Sequence, residues 1–81
     1  MDERKQKIRE FLGRYVKNRE FRDDDDVFAL GFVNSLVAMQ LIQFVEREFG
    51  VTVEDEDLDL DNFRSIDRID DFVARKTGVP A

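Results

Sequence analysis

Three stretches of the chain repeat apolar residues at helical spacing. From Glu3 to about Lys17, the residues Ile8, Phe11, Leu12, Tyr15 and Val16 fall at i, i+3, i+4, i+7 and i+8, which predicts an amphipathic helix with a single buried stripe. The most apolar segment, Ser35 to Phe49, contains no helix breaker before Gly50, which stands where a C-terminal cap is expected. On a helical wheel Val37, Ala38, Leu41, Ile42, Phe44, Val45 and Phe49 share one broad arc, and Gln40, Gln43, Glu46 and Arg47 occupy the other. Leu36 and Met39 fall inside the polar arc, and with the uncharged glutamines between them they form a candidate docking patch. In the last periodic stretch Ser65 is placed to cap a helix from Ile66 to about Lys76 that buries Ile66, Ile69, Phe72 and Val73 and ends at Gly78-Val79-Pro80.

The connections have a different texture. Arg19 to Leu30 holds the self-repelling run Asp23-Asp24-Asp25-Asp26 and predicts a long loop, tucked against the core by Phe21, Val27, Phe28 and Leu30. Val51 to Asp61 is too acidic for a long helix and predicts a loop with one helical turn, anchored by Leu58 and Leu60. Three substantial helices, long connections and no alternating strand pattern predict an all-α fold, a small antiparallel bundle.

Composition narrows the chemistry. At 81 residues there is room for one core burying ~60% of the unfolded surface, and the whole chain reads as one domain. Without cysteine there is no disulfide or thiolate metal site, and an intracellular, cytoplasmic setting is the simplest expectation. No apolar run approaches the ~20 residues of a membrane span, and Met1-Asp2-Glu3-Arg4-Lys5 has no apolar signal core, so no membrane partner is expected. Thirteen basic against nineteen acidic residues leave a net charge of −6, which argues against nucleic acid and for partners with basic surfaces.

Candidate chemistry converges on Leu30-Gly31-Phe32-Val33-Asn34-Ser35-Leu36. Asn34 is a favoured N-cap, and Gly31 relaxes the backbone before it. Ser35, one step past the cap, is left with a hydroxyl its own backbone does not consume. Serine catalysis needs a base, usually histidine, and the chain has none, so Ser35 cannot belong to such a triad and no catalytic residue is assigned. If Ser35 reacts, another enzyme must activate it. The electropositive helix start suits a phosphodiester built on that hydroxyl. Asp57, Asp59 and Asp61 match the first three ligand positions of a D-x-D-x-D calcium loop, but Asn62 replaces the glycine and Arg68 the bidentate glutamate. No metal is assigned, and a solvated acidic loop is expected.

Leu30-Gly31, then Asn34-Ser35-Leu36, then the apolar helix ending in Glu46-Arg47-Glu48-Phe49-Gly50-Val51, resembles the acyl carrier protein family, whose signature is Leu-Gly, a short gap and Asp-Ser-Leu. The resemblance spans about residues 5 to 76. It implies a four-helix bundle of three main helices and one short one near Leu58. It also implies a 4′-phosphopantetheine arm, transferred from coenzyme A onto Ser35 by a phosphopantetheinyl transferase, with Asn34 capping the helix beside it. Partners implied are that transferase and acyl-loading and acyl-modifying enzymes, an acyltransferase or synthase, met by a monomer through Leu36, Met39, Gln40, Gln43 and Arg47. Asn34 stands where the family has Asp, and the gap after Gly31 holds both Phe32 and Val33. Gly31-Phe32-Val33-Asn34-Ser35-Leu36 with Ala38-Met39-Gln40-Leu41 is similar to free-standing carriers of polyketide extender-unit pathways of the methoxymalonyl or aminomalonyl type. D-alanyl and peptidyl carriers share the shape. The eight phenylalanines favour a filled core and a short, polar cargo. Outside the family, an unmodified helical adaptor using the same face, or an acidic cation-binding regulator, are the alternatives.

Overall fold

A computed structural model describes residues 3–15, 21–31 and 33–78. The described residues form a small antiparallel four-helix bundle: α1 (Glu3–Leu12), α2 (Ser35–Phe49), the short α3 (Leu60–Phe63) and α4 (Ile66–Thr77), with a 3₁₀ turn at Asp55–Asp57. Ile66, Ile69, Phe72 and Val73 of α4 are fully enclosed, as their spacing predicts, and close the core with Ile8, Leu12, Leu41 and Val45. Lys7 of α1 reaches Glu48 near the end of α2, while Phe11, a turn later in α1, stacks on Phe44, a turn earlier in α2. That reversal of order is what antiparallel packing requires.

The termini of the long helices match the cap chemistry read from the sequence. Ser65 Oγ accepts from Arg68 N at 3.1 Å, and Gly50 and Gly78 close α2 and α4 at positive φ, a conformation that favours glycine. Helix α1 is shorter than its apolar stripe suggests. It stops at Leu12 instead of reaching Lys17, because Gly13 follows and Arg14 N and Tyr15 N bond three residues back, to Phe11 O and Leu12 O, tightening the chain into a turn. Tyr15 leaves the core and stays exposed, resting on Phe11 at 5.4 Å between ring centroids. Val16 and Lys17 lie outside the described residues.

Two loop anchors differ from expectation. Phe21 and Val27 are buried and Phe28 half-buried, but Leu30 is exposed. In the acidic connection Leu58 and Leu60 are 56% and 57% exposed, and Val51 is the buried anchor. The apolar character of Leu58 and Leu60 therefore faces the surface, where they flank a groove beside α2. The 3₁₀ turn and the capped start of α3, where Asp59 accepts from Asp61 N, set that outward register.

Asp70 was not foreseen as a core residue. Only 2% exposed, it takes Arg4 Nε on Oδ1 at 2.8 Å, while Oδ2 is buried without a hydrogen bond. Removing the arginine strands a buried carboxylate, whereas removing an exposed partner does not. Arg4→Met should therefore lower unfolding free energy by about 3 kcal/mol, and Lys7→Met, which breaks the exposed pair with Glu48, by no more than ~0.5 kcal/mol, both read by urea titration.

A second electrostatic tie joins α4 to the 3₁₀ turn. Lys76 Nζ donates to Asp57 Oδ2 at 2.8 Å, and Glu54 N donates to the same oxygen at 3.0 Å. Both bonds favour the carboxylate, so the Asp57 carboxyl is held below its usual range, first by Lys76, while the Lys76 ammonium is pushed up, first by Asp57. Asp57 then stabilises the fold fully above the ordinary aspartate value of about 3.9 and loses that contribution as pH falls through its lowered pKa. In Lys76→Met the Asp57 titration followed by carboxyl NMR should move back up, and the acid limb of the stability curve should flatten.

Candidate functional site

The start of α2 is built by the loop before it. Asp26 Oδ1 accepts from Phe28 N and Ala29 N at 3.0 Å each, and Leu30 N bonds Asp26 O, so residues 26 to 31 wind into one helical turn. Gly31 ends that turn at φ 79°, where a Cβ would be strained although nothing crowds it. Buried Val33 then returns its N–H to Val27 O at 3.2 Å, and Val27 N reaches across to Arg64 O at 2.7 Å. The loop is thus pinned to the junction of α3 and α4 immediately before α2 begins.

Asn34 lies in the extended region and its Oδ1 accepts from Val37 N at 3.0 Å, while its carbonyl takes Ala38 N at 2.8 Å. This is the N-cap read from the sequence. Ser35 follows as the first helical residue, exposed, its hydroxyl without a hydrogen bond among the described residues. Helices α1, α3 and α4 carry Glu3, Asp61 and Asp67 in their first turns, and α2 carries no acid there. The helix thus adds no acid of its own to its positive end. Leu36 and Met39, 69% and 62% exposed, continue the surface from Ser35, and Gln40, Gln43 and Arg47 are exposed beyond them.

A family model described as the phosphopantetheine attachment site matches residues 5–73. The chain belongs to that family. It is a phosphopantetheine carrier protein, a domain on which 4′-phosphopantetheine is covalently attached. No curated protein matches the chain. Carrier domains of this family work with a phosphopantetheinyl transferase and with acyl-handling enzymes.

Attachment needs an accessible hydroxyl next to groups that tolerate the single negative charge of a phosphodiester. The two serines of the carrier differ completely in this respect. Ser65 is 4% exposed and occupied as the cap of α4. Ser35 is open, and the first turn of α2 presents backbone N–H groups of which the Asn34 side chain takes one. Thr77 Oγ1 donates to Val73 O at 2.8 Å, and Thr52 sits in the connection between Gly50 and the 3₁₀ turn, at the end of α2 opposite Ser35. The residues around Ser35 fit the group.

The other sequence candidate was the acidic loop. Its carboxylates are turned to separate tasks: Asp57 binds Lys76 and caps the turn, Asp59 caps α3, and Asp61 pairs with Arg64. Among the described residues no cluster of three acidic side chains is gathered to hold a metal ion. Two grooves flank α2 that pattern reading missed. One, of about 170 Å³, is apolar, with Phe28, Ala38, Ile42, Leu58, Leu60 and Phe63 around it and Asp59 at its edge. The other lies toward α1 and is polar. The exposed leucines 58 and 60 could have signalled the first, had their faces been known.

Replacing the cap tests how α2 is started. Asn34→Ala should cost about 1 kcal/mol of stability, and Asn34→Asp should stay within ~0.5 kcal/mol of the parent or exceed it, as measured by thermal unfolding.

Proposed function

We propose that Ser35 is the attachment residue and that the protein carries a short acyl unit for polyketide extender-unit biosynthesis. The observation that supports Ser35 is the pairing of one exposed, unbonded serine hydroxyl with a helix start that lacks any acid of its own. In the transfer, Ser35 Oγ gives up its proton and bonds the phosphorus of coenzyme A that bears the pantetheine arm, and the pyrophosphate P–O bond breaks to release adenosine 3′,5′-bisphosphate. The absence of histidine leaves activation of the hydroxyl to the transferase, so the chain serves as substrate and carrier instead of catalyst. The bound arm supplies a terminal thiol that holds an acyl group as a thioester.

Within this reading, Asn34 fixes the helix start so that its first-turn N–H groups face the phosphate. Leu36 and Met39 expose apolar surface beside the arm, and with Gln40, Gln43 and Arg47 they form the face on which the transferase and acyl-handling enzymes dock. Asp23 to Asp26 and Glu54 to Asp61 attract basic partner surfaces. A short cargo is supported by the filled interior: Phe11 stacks on Phe44, Phe44 meets Phe49 edge to face, and Phe63 packs on Phe72, leaving the small groove of about 170 Å³ beside α2. The extender-unit assignment is supported by the wording of residues 31 to 41.

Incubation with coenzyme A, Mg²⁺ and a broad-specificity phosphopantetheinyl transferase should add the mass of one phosphopantetheine group, observed by intact mass spectrometry. Ser35→Ala should show no gain while keeping its helical circular-dichroism spectrum. An unchanged mass with several transferases, or a gain that survives in Ser35→Ala, would refute the assignment.

A further inference from the structure

The polar groove toward α1 has a composition unusual for so acidic a molecule. About 250 Å³ in volume, it is bounded by the stacked rings of Phe11 and Phe44, whose centroids are 4.6 Å apart, by Gln40 and Gln43 of α2, and by two arginines. Arg14 comes from the turn after α1 and Arg47 from the exposed face of α2. Neither forms an ion pair among the described residues, as is also true of Arg22, Arg68 and Arg75, whereas Arg4, Arg9 and Arg64 are paired to aspartates; what sets Arg14 and Arg47 apart is that they share this groove with two glutamines. The acid at the groove, Glu48, is tied to Lys7 at 3.1 Å. Among the described residues of a chain of net charge −6, two guanidinium groups without ion pairs and two primary amides thus surround one concavity with an aromatic wall.

We infer that this groove is a carboxylate site, and that its ligand is the free carboxylate of an acyl group tethered through Ser35. The inference rests on the attachment reading above and narrows its cargo to acyl groups that end in an acid. Guanidinium groups and side-chain amides are donors suited to a carboxylate, and charge-assisted bonds from Arg are the stronger kind. The two grooves beside α2 divide by chemistry, since the apolar one has the carboxylate of Asp59 at its edge and repels an acid. The volume suits a cargo of a few carbons with its water and lies below the range of drug-sized pockets.

Reach agrees with this assignment. At ~1.5 Å rise per residue, Gln43 lies about 12 Å and Arg47 about 18 Å from Ser35 along α2. The arm interposes about fourteen bonds between Oγ and sulfur, comparable to five residues of extended chain or ~16 Å. Around the helix, at ~100° per residue, Gln43 is turned about 80° and Arg47 about 120° from Ser35, so the arm wraps partly around α2 and brings the acyl group to the Gln43 edge of the groove. A tether raises local concentration to the millimolar range, so a weak site suffices to hold the cargo against the protein between visits to partner enzymes. The same residues lie on the docking face, and an arriving partner that engages Gln40 or Arg47 would release the carboxylate.

The test compares two cargoes that differ by one carboxylate. Transferase-mediated loading from malonyl-coenzyme A or acetyl-coenzyme A gives the two forms, and intact mass confirms each. In ¹⁵N spectra the side-chain amides of Gln40 and Gln43 should differ between malonyl and acetyl forms, and the difference should shrink severalfold in Arg14→Gln/Arg47→Gln, whose remaining amide pattern reports an intact fold. Identical glutamine signals in both loaded forms overturn the proposal. Free malonate titrated into the unmodified protein supplies an independent arm. Saturable shifts at Gln40 and Gln43, weakened about tenfold in the double variant, support the groove as a carboxylate site, and their absence counts against it. A failure of the parent protein to gain mass with several transferases refutes the Ser35 reading and with it the tethered ligand, and the malonate titration, which needs no loading, then decides separately whether the groove binds acids.

Discussion

The site depends on where one loop is tied. Val27 and Val33 are buried, and between them a ladder of backbone bonds runs from Val33 N to Val27 O and from Val27 N to Arg64 O. Asp67 N adds a bond to Asp23 O at 2.9 Å. An acidic segment that would otherwise repel itself is thereby fastened to the α3–α4 junction, with its carboxylates distributed among Arg9, Arg64 and the N–H groups of its own turns. Only with that segment fixed does Asn34 cap α2, and only then does Ser35 emerge at an exposed helix start. The core residues of α4 hold the junction, so the burial of Ile66, Ile69, Phe72 and Val73 is linked to the exposure of one hydroxyl 31 to 38 residues earlier in the chain.

The electrostatics of the carrier are segregated. Acidic groups concentrate in the two connecting loops, and most carry local duties as caps or ion-pair partners. The N-terminal turn of α2 is kept free of acids, which leaves the helix dipole for a phosphate. Along the same helix Arg47, with Arg14 opposite, forms a positive island. An acidic cargo tethered at Ser35, as proposed, would meet repulsion from the loops and attraction from Arg14 and Arg47 on the α1 side of α2.

Much of this was legible from residue order. The extents of α2 and α4, both caps and both glycine stops, and the exposure of Leu36 and Met39 follow from 3.6-residue periodicity and cap chemistry, which act over one or two turns. Asn34 and Ser35 were found the same way, as a cap and the residue it leaves free. The misjudged features share a cause. Leu30, Leu58 and Leu60 sit in segments without a period, so hydrophobicity could not tell an inward side chain from an outward one. Tyr15 continued a helical spacing past Gly13, where the backbone had already turned.

Sequence alone therefore determined α2 and α4 with their termini and the one serine with a free hydroxyl, because each rests on contacts between residues a few positions apart. Tertiary structure decided what no local rule reaches: that Asp70 is buried against Arg4, 66 residues away, that the acidic loop is pinned to Arg64 and Asp67, and that Arg14 and Arg47 share a groove. Such pairings are set by the packing of whole helices. Their charges and side chains were all visible in the sequence, but their juxtaposition exists only once α1 and α4 close on the core.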